Sequence, residues 1–265
     1  MTSPVESALL TAVERSPQAA AAHDRQGWVG LFTADGRVED PVGSRPHAGP
    51  AEIGRFYDTF IGPRDIAFRR DLDVVRGTSV IRDLTLEVAM GSAVTMTIPA
   101  VLRYDLREVD AEWRIAALRA YWELPAMVLQ FLGNGVAALP AGVQLSRSLI
   151  RNQRLRGTLG FASGFHRPGA QVKTLVDTFV NAVGRGDRFG ALQALSSGAT
   201  ITFGDDEAAD LAGLLERCSG ATTTKLIASG PTVAASVATT SHRGLLLADP
   251  ARRGRGIARV RYFPQ

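Results

Sequence analysis

The strongest constraint on the fold is a long alternation of apolar and polar side chains in the first half of the chain. Residues 83–90 and 93–104 carry an apolar side chain at almost every second position. Because successive side chains of a strand point to opposite faces, this period of two predicts long antiparallel strands with one buried face. Pro99 cannot donate a ladder hydrogen bond, so we expect it at a bulge or at an edge position.

Strand patterns extend from Ile66 to Leu124, and the residues before them follow helical patterns. Ser3-Pro4-Val5-Glu6 has the form of a capping box and predicts a helix to about Arg15. Ser16-Pro17 predicts that a second helix begins there, with serine as the cap and proline at the first helical position. Helices followed by one antiparallel sheet indicate the α+β class.

Composition excludes several classes of protein. A chain of 265 residues with 45% hydrophobic side chains has room for one large or two small domains. Its one cysteine, Cys218, rules out an intramolecular disulfide and fits a reducing compartment. We find neither a signal peptide nor a run of about 18 apolar residues that would span a membrane. The net charge is +4, and the arginines are dispersed. These features predict a cytoplasmic protein with no integral membrane segment and no nucleic-acid partner.

Metal and cofactor signatures are missing from the sequence. The four histidines are scattered, so they show no metal-ligand spacing. No glycine pattern resembles a dinucleotide-binding or phosphate-binding loop. We therefore expect no metal and no cofactor.

One carboxylate stands out, in the segment Val38-Glu39-Asp40-Pro41-Val42-Gly43-Ser44. By the period of two, Asp40 points to the same side as Val38, which we expect to be buried. Pro41 favours an extended conformation at Asp40, which places that residue where a strand meets a turn. A carboxylate that faces a core must be paired, protonated or functional. The simpler alternative is that the Asp40 side chain caps a turn.

This segment resembles a known family. Together with Pro46, Gly49, Ile53 and Phe56-Tyr57, it is similar to the steroid Δ5-isomerase branch of the nuclear-transport-factor-2-like (NTF2-like, SnoaL-like) superfamily. Arg119-Ala120-Tyr121-Trp122 resembles the last strand of that family, and the resemblance spans residues 12–124. It implies a cone-shaped α+β fold in which helices pack on a curved antiparallel sheet.

The resemblance also implies a function, an intramolecular proton transfer on a bulky apolar ketone with Asp40 as the base. The ligand would be a small apolar molecule, steroid-like or polyketide-like. In the family, a tyrosine and a protonated aspartic acid hold the oxyanion, but their positions here carry Ser16 and Ala100. The resemblance implies substrate contacts from seven residues: Trp28, Phe56, Tyr57, Phe60, Ile98, Ala100 and Trp122.

Two alternatives stay open. A related branch opens epoxides or closes polyketide rings with two carboxylates, and Asp65 or Asp71 could supply the second one beside Asp40. A cone that binds an apolar ligand without any chemistry is the non-enzymatic alternative.

The second half of the chain reads as a degenerate repeat of the first. A constant shift of 163 positions aligns Asp24-Arg25 with Asp187-Arg188 and places Phe203 at the position of Asp40. We therefore predict three segments: an isomerase-like domain at 1–135, a helical linker at 136–167 and a degenerate second domain at 168–265. The segment 125–166 could instead be a helix packed on the sheet or a membrane-surface segment.

Cones of this superfamily commonly pair through their sheets. We expect the two domains to pair within one chain as a pseudo-dimer, and a homodimer remains possible.

Overall fold

The computed structural model describes residues 3–89, 94–133, 170–251 and 255–265. The chain divides into two compact units, Met1–Phe165 and His166–Gln265. The predicted domain limits stay predictions, and the proposed linker at 136–167 lies outside the described residues. No helix in the described part of the chain is long and apolar enough to cross a membrane.

The first unit begins with helices and ends with a sheet and one more helix. The helices are α1 (Pro4–Ala21), α2 (Arg25–Gly30), α3 (Gly49–Phe56), a π-helix (Tyr57–Ile61) and α4 (Leu124–Gly133). The strands are β1 (Phe32–Glu39), β2 (His47–Ala48), β3 (Asp65–Arg76), β4 (Ser79–Ala89), β5 (Thr95–Val109) and β6 (Glu112–Tyr121).

The six strands form one mixed sheet in the order β2-β1-β6-β5-β4-β3. The long strands β3 to β6 pair antiparallel, as the alternation predicted, while β1 runs parallel to β6. Pro99 lies in the part of β5 that pairs with β4 before the pairing with β6 begins at Val101, so its predicted edge position is confirmed. The turns at Gly77 and at Asp110-Ala111 have positive φ angles, which suit tight connections.

The predicted helix break at Ser16-Pro17 is wrong. Helix α1 continues through Pro17, and its cap is Ser3, whose side chain accepts from the Glu6 backbone N–H in a capping box. Ser16 is buried inside this helix, and its Oγ accepts a hydrogen bond of 3.2 Å from Trp28 Nε1. Packing of this face therefore outweighs the local preference of a serine–proline pair to begin a helix.

The core of the first unit lies between the sheet and its helices. Leu9 and Val13 of α1, Trp28 of α2 and Ile53 of α3 are buried there. They pack over the alternating apolar residues of β4 and β5 that the sequence placed on the buried face, including Leu84, Val88, Ala100, Leu102 and Tyr104.

The second unit repeats the order of elements. Its helices are α5 (Ala170–Gly184), α6 (Arg188–Ala194) and α7 (Leu211–Arg217). Its strands are β7 (Leu195–Phe203), β8 (Glu207–Ala209), β9 (Thr222–Ser229), β10 (Thr232–Ala238), β11 (Arg243–Pro250) and β12 (Ile257–Pro264). The sheet order β8-β7-β12-β11-β10-β9 is the order of the first sheet.

Local details repeat as well. Asp24 caps α2 by accepting from the Gly27 N–H, and Asp187 caps α6 by accepting from the Gly190 N–H. The parallel pair β7–β12 has the register of β1–β6, including an irregularity at the same place. The expected tandem α+β architecture is therefore confirmed.

Candidate active site

The turn after β1 fixes the position of Asp40. The Asp40–Pro41 peptide bond is cis. The Val42 N–H donates to the Ala120 carbonyl oxygen at 2.8 Å, and the Gly43 N–H donates to Glu39 Oε1 at 2.8 Å. These two bonds join the turn to β6 and to the end of β1, so Asp40 does not lie on a free loop.

The sheet topology brings Asp40 to Trp122. Strands β1 and β6 are parallel, with Glu39 opposite Arg119, so the residues that follow both strands lie at the same end of the sheet. There Trp122 Nε1 donates a hydrogen bond of 2.5 Å to Asp40 Oδ1. Trp122 comes eighty-two residues after Asp40, so only the fold makes them neighbours.

Apolar surroundings make this carboxyl a weaker acid. Burial raises the pKa of Asp40 from 3.8 to about 6, and the hydrogen bond from Trp122 partly opposes that rise. Desolvation disfavours the charged form of a carboxylate, while a donor to the carboxylate favours it. At neutral pH, Asp40 is therefore ionised but close to the range in which it can also hold a proton.

Asp40 and Trp122 form part of the wall of a cavity of about 120 Å³. Residues from β3, β4, β5, α3, α4 and the π-helix complete the wall, and nearly all of them are apolar. They are Phe56, Phe60, Ile61, Arg64, Ile66, Leu86, Val88, Met96, Ile98 and Met127. A cavity of about 150 Å³ accommodates benzene, so this one has room for about one ring of a larger ligand.

Five of the eight residues predicted for the site lie around this cavity, namely Asp40, Phe56, Phe60, Ile98 and Trp122. The other three, Trp28, Tyr57 and Ala100, are buried in the core and are not part of the described cavity wall.

Trp28 and Tyr57 pack against each other, with their ring centroids 5.5 Å apart. The Tyr57 hydroxyl is buried and has no hydrogen-bond partner among the described residues. Burial raises the pKa of Tyr57, and the charges of Asp24, the cap of α2, and of Asp58 in the π-helix raise it further. Tyr57 therefore contributes to packing between helices and not to the cavity wall.

Ala100 lies on the same face of β5 as Ile98, two residues further along the strand. Its side chain is fully buried in the core of the first unit, where the interior is filled by neighbouring side chains. Neither it nor Ser16 offers a hydrogen-bond donor to the described cavity.

Sequence reasoning missed Arg64. This residue lies between the π-helix and β3 and forms part of the cavity wall. Its Nη1 donates a hydrogen bond of 2.7 Å to the Thr59 carbonyl oxygen, and burial lowers the pKa of Arg64 to about 10. Gly62-Pro63 before it reads as a plain turn, so no periodic pattern marks Arg64 as inward-facing.

Comparison with known proteins agrees with this geometry. Residues 9–130 match the model of the nuclear transport factor 2 (NTF2) domain. Residues 9–130 therefore belong to the NTF2-like superfamily. The match covers the helices, the sheet and the cavity of the first unit, so this unit is an NTF2-like domain.

Solved structures similar to the chain include three from mycobacteria. The Delta 5-3-ketosteroid isomerase of Mycobacterium sp. is 30% identical, with 45% of this chain and 95% of that chain covered and a TM-score of 0.41. A Mycobacterium tuberculosis protein crystallised with estradiol-17beta-hemisuccinate is 25% identical, with 44% and 95% covered and a TM-score of 0.40. An LEH-like epoxide hydrolase of M. tuberculosis is 18% identical, with 52% and 98% covered and a TM-score of 0.43.

The second unit lacks the carboxylate. Phe203, the last residue of β7, stands where the repeat places Asp40, and it is buried in the core of its own unit. The Arg217 guanidinium lies over its ring at 4.4 Å from the centroid. Within the described ranges of both units, no group of three or more acidic, histidine or cysteine side chains could hold a metal ion.

Proposed function

We propose that the first unit catalyses a steroid Δ5-isomerase-like proton transfer on a bulky apolar ketone, with Asp40 as the base. The observation that supports this most directly is the hydrogen bond from Trp122 to Asp40 in the wall of an apolar cavity. A base in such a cavity is shielded from water and held in one orientation, as proton abstraction from carbon requires.

The reaction needs no co-reactant. The Asp40 carboxylate removes a proton from the carbon between the carbonyl and the double bond, and the electron pair moves to the carbonyl oxygen as a dienolate. The protonated Asp40 then returns the same proton to the far carbon of the conjugated system. The pKa of about 6 suits both steps, because the group accepts the proton and releases it again near neutral pH.

The expected rate depends on how well hydrogen-bond donors stabilise the negative charge on the dienolate oxygen. Removal of one oxyanion donor typically reduces the rate by about 10²–10³, and the family positions for both donors carry Ser16 and Ala100. Among the described side chains of the cavity wall, N–H groups occur on Trp122 and Arg64, and Trp122 already donates to Asp40. We therefore expect an isomerase that is slow for its family.

Two other activities remain candidates. The small apolar cavity and the loss of both oxyanion donors favour a ligand-binding cone without chemistry. Epoxide opening or ring closure needs a second acidic group, and Asp65 and Asp71 are both exposed, with Asp65 paired to His23 at 3.0 Å. Neither residue belongs to the described cavity wall.

The deciding experiment mixes the protein with a Δ5-3-ketosteroid and follows the absorbance of the conjugated enone. The controls are Asp40→Asn, which keeps the shape and removes the base, and Met127→Ala, which enlarges the cavity at α4. Isomerisation by the wild type that is abolished in Asp40→Asn supports the proposal. Faster turnover by Met127→Ala would show that the cavity volume limits entry of the steroid. Binding with equal background rates in all three proteins would establish a ligand-binding cone, and neither binding nor reaction would reject the steroid assignment.

We also propose that the two units pair within one chain as a pseudo-dimer. Each sheet carries apolar residues on the face opposite to its own core: Ile81, Val101 and Tyr121 in the first, and Leu245, Leu247 and Phe263 in the second. Truncation after Ala137 should then give a fragment that aggregates or dimerises. A stable monomeric fragment in size-exclusion chromatography would contradict the pairing.

A cytoplasmic location is proposed on the single cysteine, Cys218, which is buried as a free thiol. Cell fractionation tests it directly, and recovery of the protein outside the cytoplasm would reject it.

A further inference from the structure

Arg64 is a charged residue in a cavity wall that is otherwise nearly all apolar. Its side chain is half-buried, and its Nη1 donates to the neutral carbonyl oxygen of Thr59 at 2.7 Å. Burial lowers the pKa of Arg64 to about 10, so the guanidinium remains protonated at neutral pH although the cavity desolvates it. A cavity adapted only to a neutral hydrocarbon surface gains nothing from such a group.

Topology separates Arg64 from Asp40. Asp40 follows β1, whereas Arg64 immediately precedes β3, and strands β6, β5 and β4 lie between those two in the sheet. Both residues nevertheless line the same cavity of about 120 Å³, which they reach from different parts of the sheet.

A protonated guanidinium in apolar surroundings attracts an anion far more strongly than the same group does in water, because the effective dielectric constant is lower. Its planar set of N–H donors matches two oxygens of one anionic group. Trp122 and Arg64 carry the N–H groups of the described cavity wall, and Trp122 already donates to Asp40, so Arg64 is the group suited to bind a charged substituent of the ligand.

We propose that the ligand of this cavity is an apolar molecule that carries one anionic group, and that Arg64 binds this group. The inference deepens the proposed function, on whose site it rests, by naming the ligand class. The reacting ring would lie at Asp40 and Trp122, and the charged end would extend toward the loop between the π-helix and β3. Arg64 is then a specificity-determining residue and takes no part in the proton transfer.

The experiment compares two fluorescent probes that share one aromatic skeleton. 1-Anilinonaphthalene-8-sulfonate carries an anionic group, and N-phenyl-1-naphthylamine lacks it. Binding of both is titrated with the wild type, with Arg64→Met and with Arg69→Met, which removes an exposed arginine on β3 that pairs with Glu87. Arg64→Lys keeps the charge without the planar donors, and thermal unfolding establishes that each variant is folded.

We expect the wild type and Arg69→Met to bind the sulfonate probe about 10- to 100-fold more tightly than the neutral probe. This is the range of affinity that a hydrogen bond to a charged group contributes. Arg64→Met should lose this preference through weaker binding of the sulfonate probe, and Arg64→Lys should keep part of it. Equal affinities in the wild type, an unchanged preference in Arg64→Met or binding of neither probe would each overturn the inference.

Neither probe undergoes isomerisation, so this outcome does not depend on the activity of Asp40. An active isomerase without a charge preference would reject this inference alone. A charge preference in a protein without isomerase activity would reject only the proposed function.

Discussion

The hydrogen bond from Trp122 to Asp40 offers the sharpest test of the site. The change Trp122→Phe removes the indole N–H, which donates to Asp40 Oδ1 at 2.5 Å, and leaves an aromatic ring in the cavity wall. A hydrogen bond to a charged group contributes about 1.5–3 kcal/mol, and one pKa unit corresponds to about 1.4 kcal/mol. Loss of the bond should therefore raise the pKa of Asp40 from about 6 by about one to two units.

The consequence near neutral pH is large. At pH 7 the ionised fraction of Asp40 should fall from about nine-tenths to about half or less. If the proton transfer operates, the acidic limb of the pH profile of kcat/KM should move upward by the same amount, because only the ionised carboxyl can act as the base.

The measurement is a titration of the aspartate side-chain carboxyl groups by ¹³C NMR, with Asp40→Asn used to identify the resonance. The matched control is Trp113→Phe, which changes a tryptophan of β6 that is absent from the described cavity wall. The control should leave the pKa of Asp40 unchanged. If Trp122→Phe also leaves it unchanged, the bond does not stabilise the carboxylate, and the electrostatic account of the site is wrong.

Three further predictions concern stability. Because burial raises the folded-state pKa of Asp40 from 3.8 to about 6, the folded protein holds this proton more tightly than the unfolded chain, so the free energy of unfolding should fall as pH rises through that window. Asp40→Asn should flatten this dependence in urea titrations, and an unchanged slope would refute it. Asp24→Ala and Asp187→Ala should each lower the stability of the folded protein by about 1 kcal/mol, since both remove the cap of a short helix at equivalent positions of the repeat. Thermal unfolding measures both changes. A loss of stability in one unit alone would contradict the equivalence of the two positions. Arg82→Met should lower the free energy of unfolding by about 3 kcal/mol or more, because the fully buried guanidinium pairs with carboxylates on β3 and α1. The exposed pair of Arg69 should contribute less than about 1 kcal/mol. Similar losses of stability for both arginines would reject the distinction.

The β-sheet of the first unit was predictable because its signal is local. Each of the long strands β4 and β5 has its own alternation, and the tight turns at Gly77 and 109–111 leave antiparallel pairing as the simple connection. The repeat was predictable for the same reason, since two helix caps and a strand recur at one constant shift. The break at Pro17 was wrong because a local preference was weighed without the packing that overrides it.

The sequence predicted the central residue of the site because a carboxylate stands there at the end of a predicted strand. Asp40 follows from the period of two and from the proline after it. Tyr57 shows the limit of helical spacing, because the stripe that it shares with Phe56 and Phe60 turns its hydroxyl toward neighbouring helices. Arg64 had no periodic signal, and its inward position follows from the π-helix and the turn before β3.

The sequence by itself determined the α+β class, the two-fold repeat and the presence of one carboxylate on a buried strand face, because each depends on residues that are close along the chain. Only the tertiary structure decided which side chains meet Asp40. The parallel pairing of β1 with β6 brings Trp122 to the carboxylate, and the fold brings Arg64 into the wall of the same cavity. Contacts between residues so far apart in the chain are set by strand order and register, which no local pattern of side chains encodes.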